Sequence, residues 1–470
     1  MTETNIDILG GHSQVNPAAT QAYQYNYYGQ AAPAVEPAAA PTVVVLGAGV
    51  DVAAGLPAPG SLIPRITDWL ETNTGKAVDT ALRKLLKGLR FRFDKFVDNT
   101  ITRLSQDLDR ERDAICSRVR QELEQNDRLD DGQRRMGQLI VRIFQKITDV
   151  KDGATIDEET ETLIREVTGI ELTEETIIDF ARINYTKTFE AIIRHILQTS
   201  LHDTDHPILR HVYTHLLDIG QLLAQYFYGF FSEKPGAIKT YLYIAWTLWA
   251  YLVYEEQAIT ALAAGETLPA IYRPLCGKEQ VQVITFNHTS FAATASPTAI
   301  YFNGNLVDYV DIENKNDLHL DELPTLDLPD FFQRLLSEEL SLEGERIAIP
   351  IPSFMPPLKL KPVLSGSYIH TWYRSAEALS RAGRILILGH VLHTGDAFFN
   401  DMLRANRRAD IILIAPDLEA SCHSVCITFQ QPAHRYTTLM VQGFPARKYD
   451  NRITVIGADL ARIDWEEWLE

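Results

Sequence analysis

Cysteine is scarce in this chain, four in 470 residues, which is too few for a disulfide framework. A reducing cytoplasm is therefore the expected compartment. Cys422 and Cys426 flank His423 at short spacing, but Cys116 and Cys276 stand isolated far upstream. A structural zinc needs four ligands, so no metal site is expected. There is no phosphate-loop lysine motif and no Gly-x-Ser-x-Gly elbow, which sets aside two common kinds of hydrolase. Basic residues are the minority sign, 44 against 62 acidic, for a net charge of −18. That balance weighs against general affinity for nucleic acid or an anionic membrane. No apolar run spans a bilayer: the uncharged, aromatic-rich stretch Tyr241 to Tyr254 has 14 residues, too short for an apolar core of ~30 Å. It is expected as a buried helix or an interface. The N-terminus lacks the basic, apolar, small-residue order of a secretory signal.

What remains is a chain long enough, at 46% hydrophobic content, for two or three units at ~150 residues each. Residues 1–40 are rich in Ala, Pro, Gln, Tyr and Asn, with Tyr23-Gln24-Tyr25-Asn26-Tyr27-Tyr28 and no apolar period. A disordered arm is expected; the alternative is a short docking segment that orders against a neighbouring subunit through its tyrosines.

The informative stretch follows. Thr42 to Leu46 is uncharged and Val-rich, the pattern of a parallel strand buried on both faces, and Gly47-Ala48-Gly49 begins where it stops. Glycines there permit a tight turn and close approach of backbone to a pyrophosphate, although Gly55 makes the spacing G-x-G-x5-G, two residues longer than the ordinary dinucleotide fingerprint. Pro57 and Ser61, a plausible helix cap, precede the apolar run Leu62 to Leu70.

Beyond Leu70 helical spacing dominates for about two hundred residues, as at Val212, Leu216, Ile219, Leu223 and Tyr226. Arg83, Lys84, Lys87, Arg90, Arg92 and Lys95 form a basic cluster, and Asp157, Glu158, Glu159, Glu161, Glu174 and Glu175 an acidic one. They read as solvated helix faces or as opposed patches between subunits. His211 and His215 have metal-pair spacing, but Val212 stands where a zinc protease has its glutamate, so with Asp218 they read as an exposed polar stripe.

Strand signals return at Val281 to Phe286, ending in Asn287-His288-Thr289, and at Ala299 to Phe302, ending in Asn303-Gly304-Asn305. A further strand, Arg384 to Leu388, ends in Gly389-His390, and Asp396 opens a helix as its cap or as a ligand contact. Ile411 to Ala415 and Arg452 to Ile456 supply two more. In an open parallel sheet, residues just past the carboxyl ends of strands line the ligand crevice.

The wording Gly47-Ala-Gly-Val-x4-Gly55-Leu-Pro57 resembles the opening of the SIR2-like (sirtuin-related) family, whose turn cradles the NAD phosphates. Asn287 matches the family asparagine that orients water or the ribose during cleavage of the nicotinamide glycosidic bond. The segments 349–359, 372–382, 384–390 and 396–406 look like the family's closing Pro-rich loop, helix, strand, turn and helix. Three positions depart: Asn303 stands where the family has its general-base histidine, Thr289 where it has an aspartate, and Asp51 where it has a serine. The missing four-cysteine module points to the zinc-free branch.

The resemblance implies a doubly wound, mostly parallel Rossmann-like α/β domain over 41–75 and 278–470, interrupted by a helical insertion over 76–277. It further implies NAD as ligand or substrate, held by Gly47, Ala48, Gly49, Asp51, Gly55, Pro57, Gly304, Gly389, His390 and Asp396. Asn287, Asn303 and His288 are the catalytic candidates. The activity implied is NAD+ glycohydrolase cleavage by an antiphage defence effector, a homo-oligomer with a second defence protein or a phage component as partner. With Asn303 in place the site is impaired or trapped, or His288 substitutes as base, or the chain is an inactive NAD sensor or structural subunit.

Overall fold

The run Val43 to Leu46 has no group that water must solvate, so it forms an interior strand, β1 (Thr42–Leu46), buried on both faces. A computed structural model describes residues 41–469 apart from 59–61, 96–111, 150–157, 170–191, 201–205, 213–233, 263–267, 338–349, 355–365 and a few shorter gaps. The expected arm over 1–40, Ser61, His215, Asp218 and most of the proline-rich segment lie outside the described residues, as do Asp157, Glu174 and Glu175.

β1 pairs in parallel with β2 (Val281–Thr285) on one side and with β7 (Arg384–Leu388) on the other. β3 (Ile300–Tyr301) lies outside β2, while β8 (Asp410–Ala415) and β11 (Ile453–Gly457) continue beyond β7, all parallel. The antiparallel hairpin of β9 (Thr437–Val441) and β10 (Phe444–Tyr449) closes the far edge. The fold is thus mixed α/β around an eight-stranded, mostly parallel sheet in the order β3-β2-β1-β7-β8-β11-β10-β9, consistent with a Rossmann-like architecture.

Each sheet face has its own core. Val44, Leu46, Leu386 and Leu388 pack with Val50 of α1 (Ala48–Ala54), Tyr272 of a 3-10 turn (Ala270–Leu275) and Phe291 of α8 (Phe291–Ala295). Val43, Val45, Ile385 and Ile387 face the opposite way, onto α10 (Gly366–Arg381), α11 (Ala397–Ala405) and α12 (Leu418–Phe429). The helix after β1 covers one face and the helix after β7 the other, so the chain direction switches between these two strands. In open sheets of this kind, ligands bind outside the carboxyl ends of the strands at such a switch point. Cys422 and Cys426 are buried on the sheet-facing side of α12.

All described elements between α1 and β2 are helical: α2 (Leu62–Leu70), α3 (Asn73–Leu85), α4 (Arg112–Gln125), α5 (Asp131–Asp149), α6 (Glu158–Thr168), α7 (Pro235–Leu262) and the 3-10 turn. Thr72 caps α3 by accepting from the Gly75 amide at 3.1 Å. The uncharged stretch belongs to α7 and is interior: Trp246 and Trp249 are fully buried and donate to the Pro350 and Leu306 carbonyls at 2.9 and 2.8 Å. Of the two expectations for it, burial is the one observed. No helix among the described residues is long and apolar enough to cross a membrane.

A second sheet, β5-β4-β6 (Asn316–His319, Gly304–Asp311, Ile351–Phe354), and α9 (Leu328–Ser337) share this helical core, the sheet through Leu306, Val310 and Ile351 and the helix through Phe331 and Phe332. Packing therefore does not divide at residue 278: the segment from β4 to β6 sits with the helices. Two charged features also differ from expectation. Arg83 is tied inward, to Asp79 at 2.8 Å and to the Tyr243 hydroxyl at 3.2 Å, rather than lying on a solvated face. His211 is half-buried and paired with Glu122 at 3.1 Å, so it does not belong to an exposed stripe.

Candidate functional site at the switch point

Register places the candidate residues along one sheet edge. Leu46 pairs with Thr285 and Leu388, and Thr285 with Tyr301, so the turns beginning near Gly47, Phe286, Phe302 and Gly389 leave the sheet together. The site is built where they emerge.

Gly47, Ala48 and Gly49 open α1, with Ala48 exposed at the tip. The close backbone approach that the glycines permit is to the β7 turn itself. The Gly47 and Gly49 amides donate to the Leu388 and Gly389 carbonyls at 2.9 and 2.8 Å. A Cβ on Gly49 would lie 2.7 Å from the Gly389 Cα, and Gly389 has φ +58. Two amides expected to face a pyrophosphate are thus engaged by the neighbouring turn. Gly55 has φ 112 and ends α1 in the left-handed conformation, with its amide on the Asp51 and Val52 carbonyls. It stands one helix length, about 10 Å, from Gly47, and Pro57 follows in the connection beyond. Both follow the end of α1 opposite Gly47.

Asp51 turns beneath α1, away from any phosphate. Its carboxyl accepts from the Tyr272 hydroxyl and, at 3.2 Å to both oxygens, from Thr289 Oγ1. Burial raises its pKa from 3.8 to about 7, outweighing both hydrogen bonds. Asn287 donates its side-chain amide to the Gly47 carbonyl at 3.0 Å and to the Tyr272 oxygen at 3.2 Å. The imidazole of His288 meets the Gly304 carbonyl through Nδ1 at 3.0 Å, and its ring tilts against Phe354 at 5.1 Å. A carbonyl only accepts, so Nδ1 carries the proton and Nε2 the lone pair in the neutral ring.

Asn303 is buried between β3 and β4. Gly304, with φ +80, is required by close packing against the Ser353 carbonyl of β6, so its glycine answers to strand pairing rather than to a ligand. His390 stacks on Phe286 at 4.2 Å, and its Nε2 lies 3.8 Å from Asp396 Oδ2. Asp396 occupies the cap position of α11 without making a side-chain cap bond, which corrects the capping expectation: its carboxylate faces His390 instead.

No protein-family profile and no curated protein sequence matches the chain. Among solved structures, the chain is similar to a Sir2 determined with a deacetylated p53 peptide and 3'-O-acetyl ADP-ribose, at a TM-score of 0.23 and 15% identity. The match covers 35% of this chain and 64% of that one.

Two side chains of this site escaped sequence reasoning. Tyr272 joins Asp51 to Asn287. Glu256 of α7, 2% exposed, accepts from the Ser290 amide at 3.1 and 3.2 Å and from its hydroxyl, pinning the loop that carries Asn287 and His288. Burial, with a further contribution from nearby Asp51, raises its pKa from 4.5 to about 7. Nothing in the local sequence marks Tyr272; Glu256 is visible only as a charge soon after a long uncharged run. Among the described residues, no group of three or more His, Cys, Asp and Glu side chains is arranged to hold a metal ion. Chemically, the edge offers an oriented imidazole, an oriented amide and buried carboxyls that titrate near neutrality, the ingredients of proton transfer to or from bound water.

Proposed function

We propose that the switch-point crevice binds NAD and cleaves its nicotinamide–ribose bond, in the manner of an NAD+ glycohydrolase. The observation that carries this reading is the His288 imidazole, fixed through Nδ1 to Gly304 beside Asn303 and next in sequence to Asn287. The titratable group missing at position 303 is supplied from the neighbouring strand end, with Nε2 as base. Nicotinamide leaves the ribose as a neutral base, water adds to the anomeric carbon, and His288 takes the proton that the water releases. Asn287 orients that water or the ribose.

The diphosphate approaches at exposed Ala48; reaching the Gly47 and Gly49 amides requires the β1 and β7 turns to part. A second reading makes the chain a catalytically inactive subunit, NAD-sensing if the turns part and structural if they stay closed. The SIR2-like resemblance adds the setting of a cytoplasmic, oligomeric antiphage effector. The test is nicotinamide release from NAD by the full chain. Under the hydrolase reading the wild type releases nicotinamide and Asn287→Ala lowers the rate at least about tenfold. NAD binding without any release leaves the sensor reading standing.

A further inference from the structure

We infer that Asp51 and Tyr272 are positioning residues that fix the side-chain amide of Asn287, presenting its Oδ1 as the acceptor for a ligand hydroxyl or water. The inference follows from which atoms can donate. The Gly47 carbonyl only accepts, so the Asn287 atom 3.0 Å away must be the NH2 group, whichever way the amide is drawn. The same nitrogen reaches the Tyr272 oxygen at 3.2 Å. A phenol has one proton to give, and the Tyr272 proton goes to Asp51. Donation therefore runs one way, from Asn287 to Tyr272 to Asp51, with Thr289 feeding the same carboxyl at 3.2 Å. Both Nδ2 protons have acceptors inside the protein, and Oδ1 is the end turned from both of them.

The polarity of this chain depends on the charge of Asp51. An ionised carboxylate can only accept, so Tyr272 must donate to it and its lone pair stays turned to Asn287. A protonated carboxyl can donate to Tyr272, whose hydroxyl then competes with the Asn287 N–H and loosens the amide. The groups that face Asp51 are Tyr272 from the 3-10 turn and Thr289 from the β2–α8 loop, with Glu256 of α7 and Tyr301 of β3 acting at longer range. Burial sets the changeover near pH 7.

The catalytic consequence rests on the proposed hydrolase reading; the orientation itself does not, and the experiment separates them. In the full chain, exchange of the Asn287 side-chain amide protons is followed by 1H–15N NMR, the resonances being identified by their loss in Asn287→Asp. Two variants, Tyr272→Phe and Asp51→Asn, are compared with the wild type after melting curves confirm folding. Slow exchange in the wild type and about tenfold faster exchange of one proton in Tyr272→Phe support the relay, a factor equivalent to about 1.4 kcal/mol and within the range for one lost hydrogen bond. In an active enzyme Tyr272→Phe then lowers kcat about tenfold with KM little changed. Wild-type turnover rises with pH through about 7, and Asp51→Asn, which cannot titrate, loses that inflection. If Tyr272→Phe does not fold, Asp51→Asn decides, since an amide no longer fixes the direction of donation and protection must fall. Wild-type amide protons that exchange as fast as those of an exposed asparagine, or a folded variant with unchanged protection, overturn the inference. A wild type that neither binds nor cleaves NAD overturns the hydrolase reading alone, because the exchange result still stands.

Discussion

Replacing His288 by Ala lowers NAD cleavage by ~10²–10⁴-fold, the usual worth of a general base, while NAD affinity changes little. The imidazole is held through Nδ1 by the Gly304 carbonyl, so the lost group is the basic Nε2 rather than a binding contact. Asn303→His in the His288→Ala background restores much of the lost rate, because position 303 lies at the neighbouring strand end, directly before the glycine that anchors the imidazole. A loss of turnover in His288→Ala with NAD affinity retained supports this assignment. Unchanged turnover in His288→Ala contradicts it, and a double variant with no more activity than His288→Ala removes the claim that the two positions are interchangeable.

The buried carboxyls make a second large effect, on stability. Asp51 and Glu256 hold protons in the folded state up to about pH 7 in each case, whereas in the unfolded chain they release them near 3.8 and 4.5. Between about pH 4 and pH 7 the native state therefore binds more protons than the unfolded state, and stability falls as pH rises through that window, levelling off above it. The free energy at stake is on the order of 3–4 kcal/mol for each group taken alone. A negative charge on Asp51 adds to the rise at Glu256. Asp51→Asn/Glu256→Gln removes the dependence, because neither amide can titrate. Thermal melting from pH 4 to pH 8 is expected to show the double variant gaining on the wild type as pH rises, by several degrees at the upper end. Parallel curves would mean that these carboxyls are not buried in this way.

The elements that could be read from sequence are those whose cause is local. β1, β2, β3 and β7 announce themselves as β-branched or aliphatic runs, and glycines or polar residues mark where each ends, so the sequence alone sets Gly47, Asn287, Asn303, Gly389 and His390 at strand ends. What escaped depends on partners distant in sequence. Tyr272 lies 221 residues from Asp51, and nothing near either residue signals that they share a proton. The pair Asp51 and Thr289 is a related case. The two side chains touch across 238 positions of sequence, and neither neighbourhood announces the contact. Asp396 shows the limit of a local rule: an acidic residue before a helix ordinarily caps it, and here the side chain makes no cap bond and lies 3.8 Å from His390 Nε2. The resemblance sets Gly55 and Gly304 among the cofactor contacts, and helix termination and the tight pairing of β4 with β6 require glycine's freedom at the same two positions. The second sheet was missed because β4 carries Asp308 and Asp311 and β5 is four residues long, so neither shows the apolar alternation that marks a strand.

The most direct test of the central claim is a calorimetric titration of the full chain with NAD, run beside the same titration of Gly49→Ala. The account predicts saturable heat and a raised melting temperature for the wild type, and loss of both in the variant, whose added Cβ would lie 2.7 Å from the Gly389 Cα where the two turns must pack and part. No heat and no shift in melting temperature with saturating NAD would contradict it.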